Sequence, residues 1–365
     1  MKLGIGLLGA GFMGKAHSHA YRSITTYLGT EVVPDLVAIY SRNKDRARNA
    51  MKRYGYRRFY TEWRDLIRDE EIEVIDNSLP NFLHKEPSIE AIELGKHVIC
   101  EKPLARNLEE ALEMVRAANR SGVTHGVIFN KRWFPGVQLA KKLLREQVLG
   151  KVTGFRFAYH QDWGLSSDPS SWRFKRELAG YGVLGDQGSH VIDLVHFLIG
   201  KIRRVLAKAK RVTRGADVED YIVLLAETKE GAVGTIEVSR VSPGRKNYLV
   251  FEIYGEEGSL YFNMERLNEL WIYIRDAPEI SGFRRILVTD PSHPFYRYFW
   301  PAGHTIGWVE SFVLQLYHFL KAVKQGEEFK PSFIDGANVN VVMDSAYRSL
   351  EEERWIEVSY YSLHN

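Results

Sequence analysis

Cysteine is almost absent from this chain: Cys100 is the single one among 365 residues. No intramolecular disulfide and no cysteine-based metal cluster can form, and a reducing cytoplasm is the expected compartment. An excess of one charge is also missing, because 50 Lys+Arg against 46 Asp+Glu leave a net charge of +4 without a basic block or stripe. Nucleic acid is therefore not an expected partner. No run reaches the roughly 20 apolar residues of a membrane span. The apolar stretch after Met1-Lys2 is broken by glycines at positions 4, 6, 9, 11 and 14, unlike the core of a signal peptide. Internal repeats and low-complexity tracts are lacking as well.

What is present is ordinary globular material. Hydrophobic residues make up 45% and charged ones 26%, enough apolar side chain for a sizeable core. At roughly 150 residues per domain, the length suggests two domains. The first third alternates short aliphatic runs at 3–8, 36–40, 74–77, 97–100 and 124–129 with helical spacings at 12–23, 44–54, 84–94 and 108–119. Such alternation predicts parallel strands covered by helices, with Gly95 and Gly122 as C-terminal caps. After about residue 132 the pattern changes to a helix, a strand at 152–160, a long loop, a buried helix and then strands at 205–212, 221–228, 234–239, 249–254, 259–262 and 269–274. This second part reads as a mostly antiparallel sheet. The segment 276–303 has four prolines, many aromatics and no period, and reads as an irregular site wall. Two helices close the chain, the second with Asp335 as its expected N-cap. The expected division is thus 1–132 and 133–365.

Gly9, Gly11 and Gly14 have the spacing G-x-G-x-x-G, with Ala10, Phe12 and Met13 between them. The pattern alone is weak among 30 glycines, but here a strand precedes it and a helix follows. The glycines would let backbone approach a pyrophosphate at the helix N-terminus, where free amides and the helix dipole favour anions. The acid that ends the second strand in NAD-binding loops is missing, and Ser41-Arg42 stands there instead. Ser41 with Arg42 or Arg46 suits a 2′-phosphate, which slightly favours NADP, while Ser41 also suits an unmodified ribose hydroxyl. The cofactor expectation is NAD or NADP.

Glu101-Lys102-Pro103 closes the fifth strand at the edge where parallel sheets bind ligands. Lys102 is there either an alkoxide-stabilising cation or a surface lysine in a salt bridge. The stretch from Gly185 to Asp193 opens a helix whose later residues are apolar nearly all round. At about 100° per residue, Asp186, His190 and Asp193 fall within an arc of about 60°. That polar stripe fits a histidine general base tuned by Asp186, a satisfied core cluster, or a metal site.

With these stretches together, the chain resembles the Gfo/Idh/MocA family of oxidoreductases. The matching segments are Gly9 to Gly14 with His17, Leu79 to His84, Gly95 to Ala105, Asn130 to Arg132 and Gly185 to Asp193, with Asp335, Gly336 and Ser349 near the end. The resemblance implies a Rossmann domain followed by an α/β domain with an open sheet, and homodimers or homotetramers. It implies hydride exchange between a nicotinamide and a secondary alcohol of a sugar, anhydrosugar or cyclitol. Lys102, Asp186 and His190 are the implied catalytic residues. Pro80, Asn81, His84, Glu101 and Asn130 join the loop residues, Ser41, Arg42, Arg46 and Lys102 in the implied cofactor set. Gln161-Asp162-Trp163 and Ser171-Trp172-Arg173 are similar to a branch that oxidises pyranoses and anhydrosugars. Trp163 and Arg173 would then join Lys102, Asp186 and His190 around the substrate, although both tryptophans suit a domain interface equally. Tyr181, where many relatives carry glycine, and the missing acid after the second strand depart from the family pattern. Rival readings are a glycosidase or epimerase using transient oxidation, and a nucleotide sensor on the same fold.

Overall fold

Leu3, Ile5, Leu7 and Leu8 are wholly buried, as in a strand covered on both faces. They lie on β1 (Lys2–Leu8), flanked in one sheet by β2 (Val33–Tyr40), β3 (Arg58–Tyr60), β4 (Val74–Asn77), β5 (His97–Glu101) and β6 (His125–Ile128). The order is β3-β2-β1-β4-β5-β6 and every neighbouring pair is parallel. This is the doubly wound order, whose direction switches between β1 and β4 and whose ligands bind beyond the carboxyl ends of the strands. The helices Phe12–Leu28, Lys44–Tyr54, Lys85–Glu93 and Leu108–Ser121 connect the strands where periodicity predicts them. Gly122 has φ 69° and donates to the Ala118 carbonyl, and Gly95 has φ 75°. The three-residue β3 and the five-residue helix Trp63–Ile67 are additions; both are too short to display a period.

The described residues of this computed structural model are 2–275, 279 and 281–361. One compact unit holds 1–130 with 308–337, and the other holds 131–307 with 338–365. The division at 132 read from the sequence does not include this return at 308–337, which no local pattern announces. In the first unit, Gln315 of the helix Glu310–Gln325 donates to the Val127 carbonyl at 2.7 Å, and the Tyr317 hydroxyl donates to Glu31 at 3.0 Å. Asp335 is not an N-cap. The helix Phe333–Glu352 begins two residues earlier, and Asp335 accepts from both the backbone and the hydroxyl of Ser332 at 2.8 and 3.0 Å. Ser332 is the cap, with Asp335 the acid three residues on that reaches back to it.

The second unit is built on β7 (Val152–His160), β8 (Ile202–Lys210), β9 (Tyr221–Thr228), β10 (Val233–Ser239), β11 (Tyr248–Gly255), β12 (Gly258–Asn263), β13 (Glu269–Ile274), β14 (Arg284–Leu287) and β15 (Ile356–Glu357). They form one sheet in the order β14-β13-β12-β11-β7-β10-β9-β8-β15. Only β7 and β10 pair in parallel, so the sheet is mostly antiparallel as expected. The loop expected over 276–303 is not wholly irregular. Arg284–Leu287 adds an edge strand, mostly exposed and with two arginines, which has no buried alternation to reveal it. The part of that expected wall at 276–278 and 280 lies outside the described residues.

Candidate functional site

The three glycines of the first turn meet three separate geometric demands. Gly9 has φ 113°, and a Cβ there would stand 2.7 Å from the Ser78 hydroxyl. At Gly14 a Cβ would stand 2.1 Å from the Gly9 carbonyl, so the helix can close on the strand only without one. Gly11 faces open space: a Cβ there would meet nothing within 4 Å. It occupies the N-cap of the helix Phe12–Leu28, which receives no side-chain hydrogen bond there. Tight turn, helix closure and an uncapped, uncovered amide end are what a dinucleotide pyrophosphate requires. Phe12 is 72% exposed and stacks on Trp308 at 5.7 Å; Met13 is half-buried.

At the carboxyl end of β2, Ser41 donates its backbone N–H to the Tyr60 carbonyl at 3.2 Å. Arg42 and Arg46 are exposed and take part in no ion pair among the described residues. The next helix is capped instead by Asn43, whose side chain accepts the Arg46 amide at 2.8 Å. Beyond β4, Asn77 organises the turn that carries Pro80 and Asn81. Its amide donates to the carbonyls of Leu83 and His84 and to Ser88, and its oxygen accepts the Leu79 amide. Nothing in the sequence marks Asn77, because its role is to its neighbours' backbone. His84 is buried, with ring nitrogens 2.9 and 2.8 Å from the carbonyls of Pro103 and Leu79. It thus ties the turn after β4 to the segment after Lys102.

Glu101 ends β5, 5% exposed, and accepts the Lys102 backbone N–H at 3.0 Å. Burial alone would push its carboxyl up, but the hydrogen bond and charge of His17, with the charge of Lys102, hold it below the usual range. Lys102 itself is half-buried. Asn130 is buried and donates to the Ser311 hydroxyl at 2.9 Å.

In the second unit, a wide π turn at Leu184–Gly188 leads into the helix Ser189–Leu198. The sequence reading assumed one regular helix from Gly185; the π turn changes the phase, a feature frequent at functional sites. Glu219 holds this turn, its two oxygens accepting the amides of Gly182 and Leu184 at 3.1 and 2.9 Å and the Tyr347 hydroxyl besides. Burial raises its carboxyl, against those hydrogen bonds. Tyr181, the departure from the family pattern, is buried with its ring edge-on to Tyr347 at 5.2 Å.

His190 is 6% exposed, its ring 6.3 Å from that of Tyr159, and Asp186 is half-buried. Burial, then the charge of Asp186, push the Tyr159 phenol well up. Asp193, three residues after His190 on the same helix, is paired with buried Arg132, as in the satisfied core cluster that was one of the readings of this stripe. Among the described residues no group of three His, Cys, Asp or Glu could hold a metal ion.

The aromatic segments are held by a residue the sequence did not single out. Arg240, 1% exposed, donates to Asp220 at 2.7 Å and to the Arg173 carbonyl at 3.1 Å, with its guanidinium 4.2 Å from the Phe174 ring and 5.5 Å from that of Trp163. The half-buried Trp163 donates its indole N–H to Gln161 at 2.8 Å. Arg173 is exposed, and its guanidinium stacks on Trp172 at 4.4 Å. A buried arginine among strands has no sequence signature apart from its charge.

A family model described as an oxidoreductase family with an NAD-binding Rossmann fold matches residues 3–129, and the GFO/IDH/MocA C-terminal domain matches 137–261. The levoglucosan dehydrogenase of Pseudarthrobacter phenanthrenivorans is 38% identical, over 98% of both chains. A solved structure of levoglucosan dehydrogenase in complex with NADH and levoglucosan has a TM-score of 0.95 at 39% identity, over 98% of this chain and all of that one. The D-apiose dehydrogenase of Paraburkholderia graminis is 26% identical, over 96% of this chain and 88% of its own. With both family models in sequence and a relative matched along nearly its whole length, the chain belongs to the Gfo/Idh/MocA family of NAD-binding oxidoreductases.

Proposed function

We propose that this protein is an NAD(P)-dependent dehydrogenase that oxidises a secondary alcohol of a sugar or anhydrosugar, with cyclitols the next class to examine. The observation that carries the redox reading is the glycine turn, where Gly9, Gly11 and Gly14 each meet a different demand of dinucleotide binding. The sugar class rests on the levoglucosan and D-apiose dehydrogenases to which the chain is similar.

In this reading the amides after Gly11 hold the pyrophosphate, Ser41, Arg42 and Arg46 face the adenosine ribose, and Pro80, Asn81, Glu101 and Asn130 line the nicotinamide side. His84 serves by holding the turn of Leu79 against Pro103. The nicotinamide, when bound, accepts the hydride. His190 takes the hydroxyl proton, Asp186 tunes the imidazole, and the Lys102 ammonium stabilises the negative charge on the oxygen as hydride leaves its carbon. Trp163 offers an apolar face and Arg173 hydrogen-bond donors to the sugar. Ser41 with Arg42 and Arg46, which form no ion pair among the described residues, supports acceptance of NADP as well as NAD, and NADH in the similar structure supports NAD. Cytoplasmic homodimers or homotetramers complete the proposal, on the family resemblance.

The test follows nicotinamide absorbance with NAD and NADP separately across aldoses, anhydrosugars, inositols and sugar acids. Reduction with one class is the expected result. Silence across the panel, with cofactor binding shown in the same preparation, would sink the dehydrogenase reading and turn the search to chromogenic glycosides.

A further inference from the structure

We infer that His17 is a positioning residue for Lys102: a buried cation that keeps Glu101 in place as a carboxylate and, through Glu101, fixes the backbone and the charge balance of Lys102. The inference rests on the proposed role of Lys102. His17 lies on the helix that follows the glycine turn and is wholly buried. Its Nδ1 is 2.9 and 3.0 Å from the two oxygens of Asp76, and its Nε2 is 3.1 Å from one oxygen of Glu101. An ionised carboxylate only accepts, so an imidazole between two of them is fully satisfied only when both ring nitrogens carry protons. The other Glu101 oxygen accepts the Lys102 backbone N–H at 3.0 Å. A continuous chain thus runs from β4 through the helix to β5 and on to Lys102.

The groups facing His17 support that assignment. Asp76 and Glu101 supply the charges; the Tyr21 hydroxyl donates to Asp76 at 2.9 Å; the Tyr56 hydroxyl meets Ser18 at 3.2 Å; and the Phe312 ring closes one side at 5.2 Å. Burial by itself would lower the basicity of the ring, but the Asp76 carboxylate, followed by Glu101, raises it to about 10. Two carboxylates, one imidazolium and the Lys102 ammonium sum to zero. Without the charge of His17, Glu101 is a buried anion whose remaining cationic neighbour is Lys102, so Lys102 is drawn into an ion pair and away from a substrate oxygen. The glycine turn and the lysine are in this way parts of one device, since the same helix begins at one and steadies the other.

Opposed charge changes in the holoenzyme make the test. His17→Gln is expected to lower kcat about tenfold or more while cofactor Kd changes less than about threefold, and to move the alkaline limb of kcat/KM upward. Glu101→Gln keeps an acceptor for the Lys102 amide and removes a negative charge, so its alkaline limb is expected to move downward. The double variant is expected to turn over faster than His17→Gln alone, because the uncompensated anion has gone. Limbs that stay put or move together, or strictly additive losses, overturn the inference. Should His17→Gln not fold, as judged by circular dichroism, an unmoved limb in Glu101→Gln overturns it alone. Lys102→Ala separates the two levels. Full turnover in that variant removes the reading beneath, whereas lost turnover beside an indifferent His17→Gln removes only the present inference.

Discussion

Arg132 grips Asp193 along one edge of its guanidinium, Nε at 2.8 Å from one carboxylate oxygen and Nη2 at 2.5 Å from the other, and both side chains are buried. The pair fixes the middle of the helix that carries His190, and the guanidinium also lies 5.1 Å from the Phe197 ring. A bidentate pair of this kind is costly to break on one side only. Arg132→Ala is expected to destabilise the protein by about 3–5 kcal/mol, because it leaves a buried anion without its counter-ion. The double variant Arg132→Met/Asp193→Leu should lose much less. Urea unfolding of the three proteins decides the matter, and a loss below about 1 kcal/mol in Arg132→Ala would show that Asp193 finds other compensation.

Lys102→Ala and His190→Ala are each expected to remove most turnover, about 10²-fold or more, since in the proposed mechanism both act on charge that forms as the substrate reacts. Cofactor affinity should change far less. Stopped-flow measurement of the first turnover, paired with fluorescence titration of NADH, separates the two quantities. Undiminished turnover in either variant would remove that residue from the mechanism.

Discrimination between cofactors should reside at the end of β2. If the adenosine ribose is bound as proposed, Ser41→Asp places an anion where a 2′-phosphate would lie, and it is expected to cut kcat/KM for NADP about tenfold or more while sparing NAD. Arg42→Ala should weaken NADP selectively, in the same direction. The ratio of the two kcat/KM values is the readout, and equal losses for both cofactors would place the adenosine ribose elsewhere.

The charged His17 makes stability depend on alkaline pH. Its folded value of about 10 lies above the ordinary 6.5, so the folded state holds the proton more tightly than the unfolded chain. That contribution is fully present below about 6.5 and is lost as pH rises through about 10. Urea midpoints across that interval should fall more steeply for the natural protein than for His17→Gln. Parallel curves would mean that the ring is neutral in the fold.

Periodicity revealed the long elements because each buries a continuous face: β1, β5, β7 and β9 begin or end within a residue of the expected places. It missed Arg58–Tyr60, Arg284–Leu287 and Ile356–Glu357, which are short, lie at sheet edges and need no apolar alternation. The glycine turn was legible since strand, spacing and helix are contiguous in the chain. Asn77, Glu219 and Arg240 were not, because each binds backbone amides or carbonyls, which any residue type can supply, together with side chains that no local spacing links to it. For Asp193 the sequence left a satisfied core cluster open beside the catalytic and metal readings, and it could not choose among them. Helical spacing places a carboxylate on a face but does not say that an arginine outside that helix already holds it.

Glu219 and Tyr347 have a consequence for the order in which the molecule is made. Residues 182–184, which lead into the histidine helix, emerge from the ribosome long before Tyr347, whose hydroxyl completes the set of donors around Glu219. The first unit waits in the same way for residues 308–337. Each unit is therefore closed by contacts of long sequence separation, a topology whose loop-closure cost slows folding relative to a chain of the same length built from local contacts.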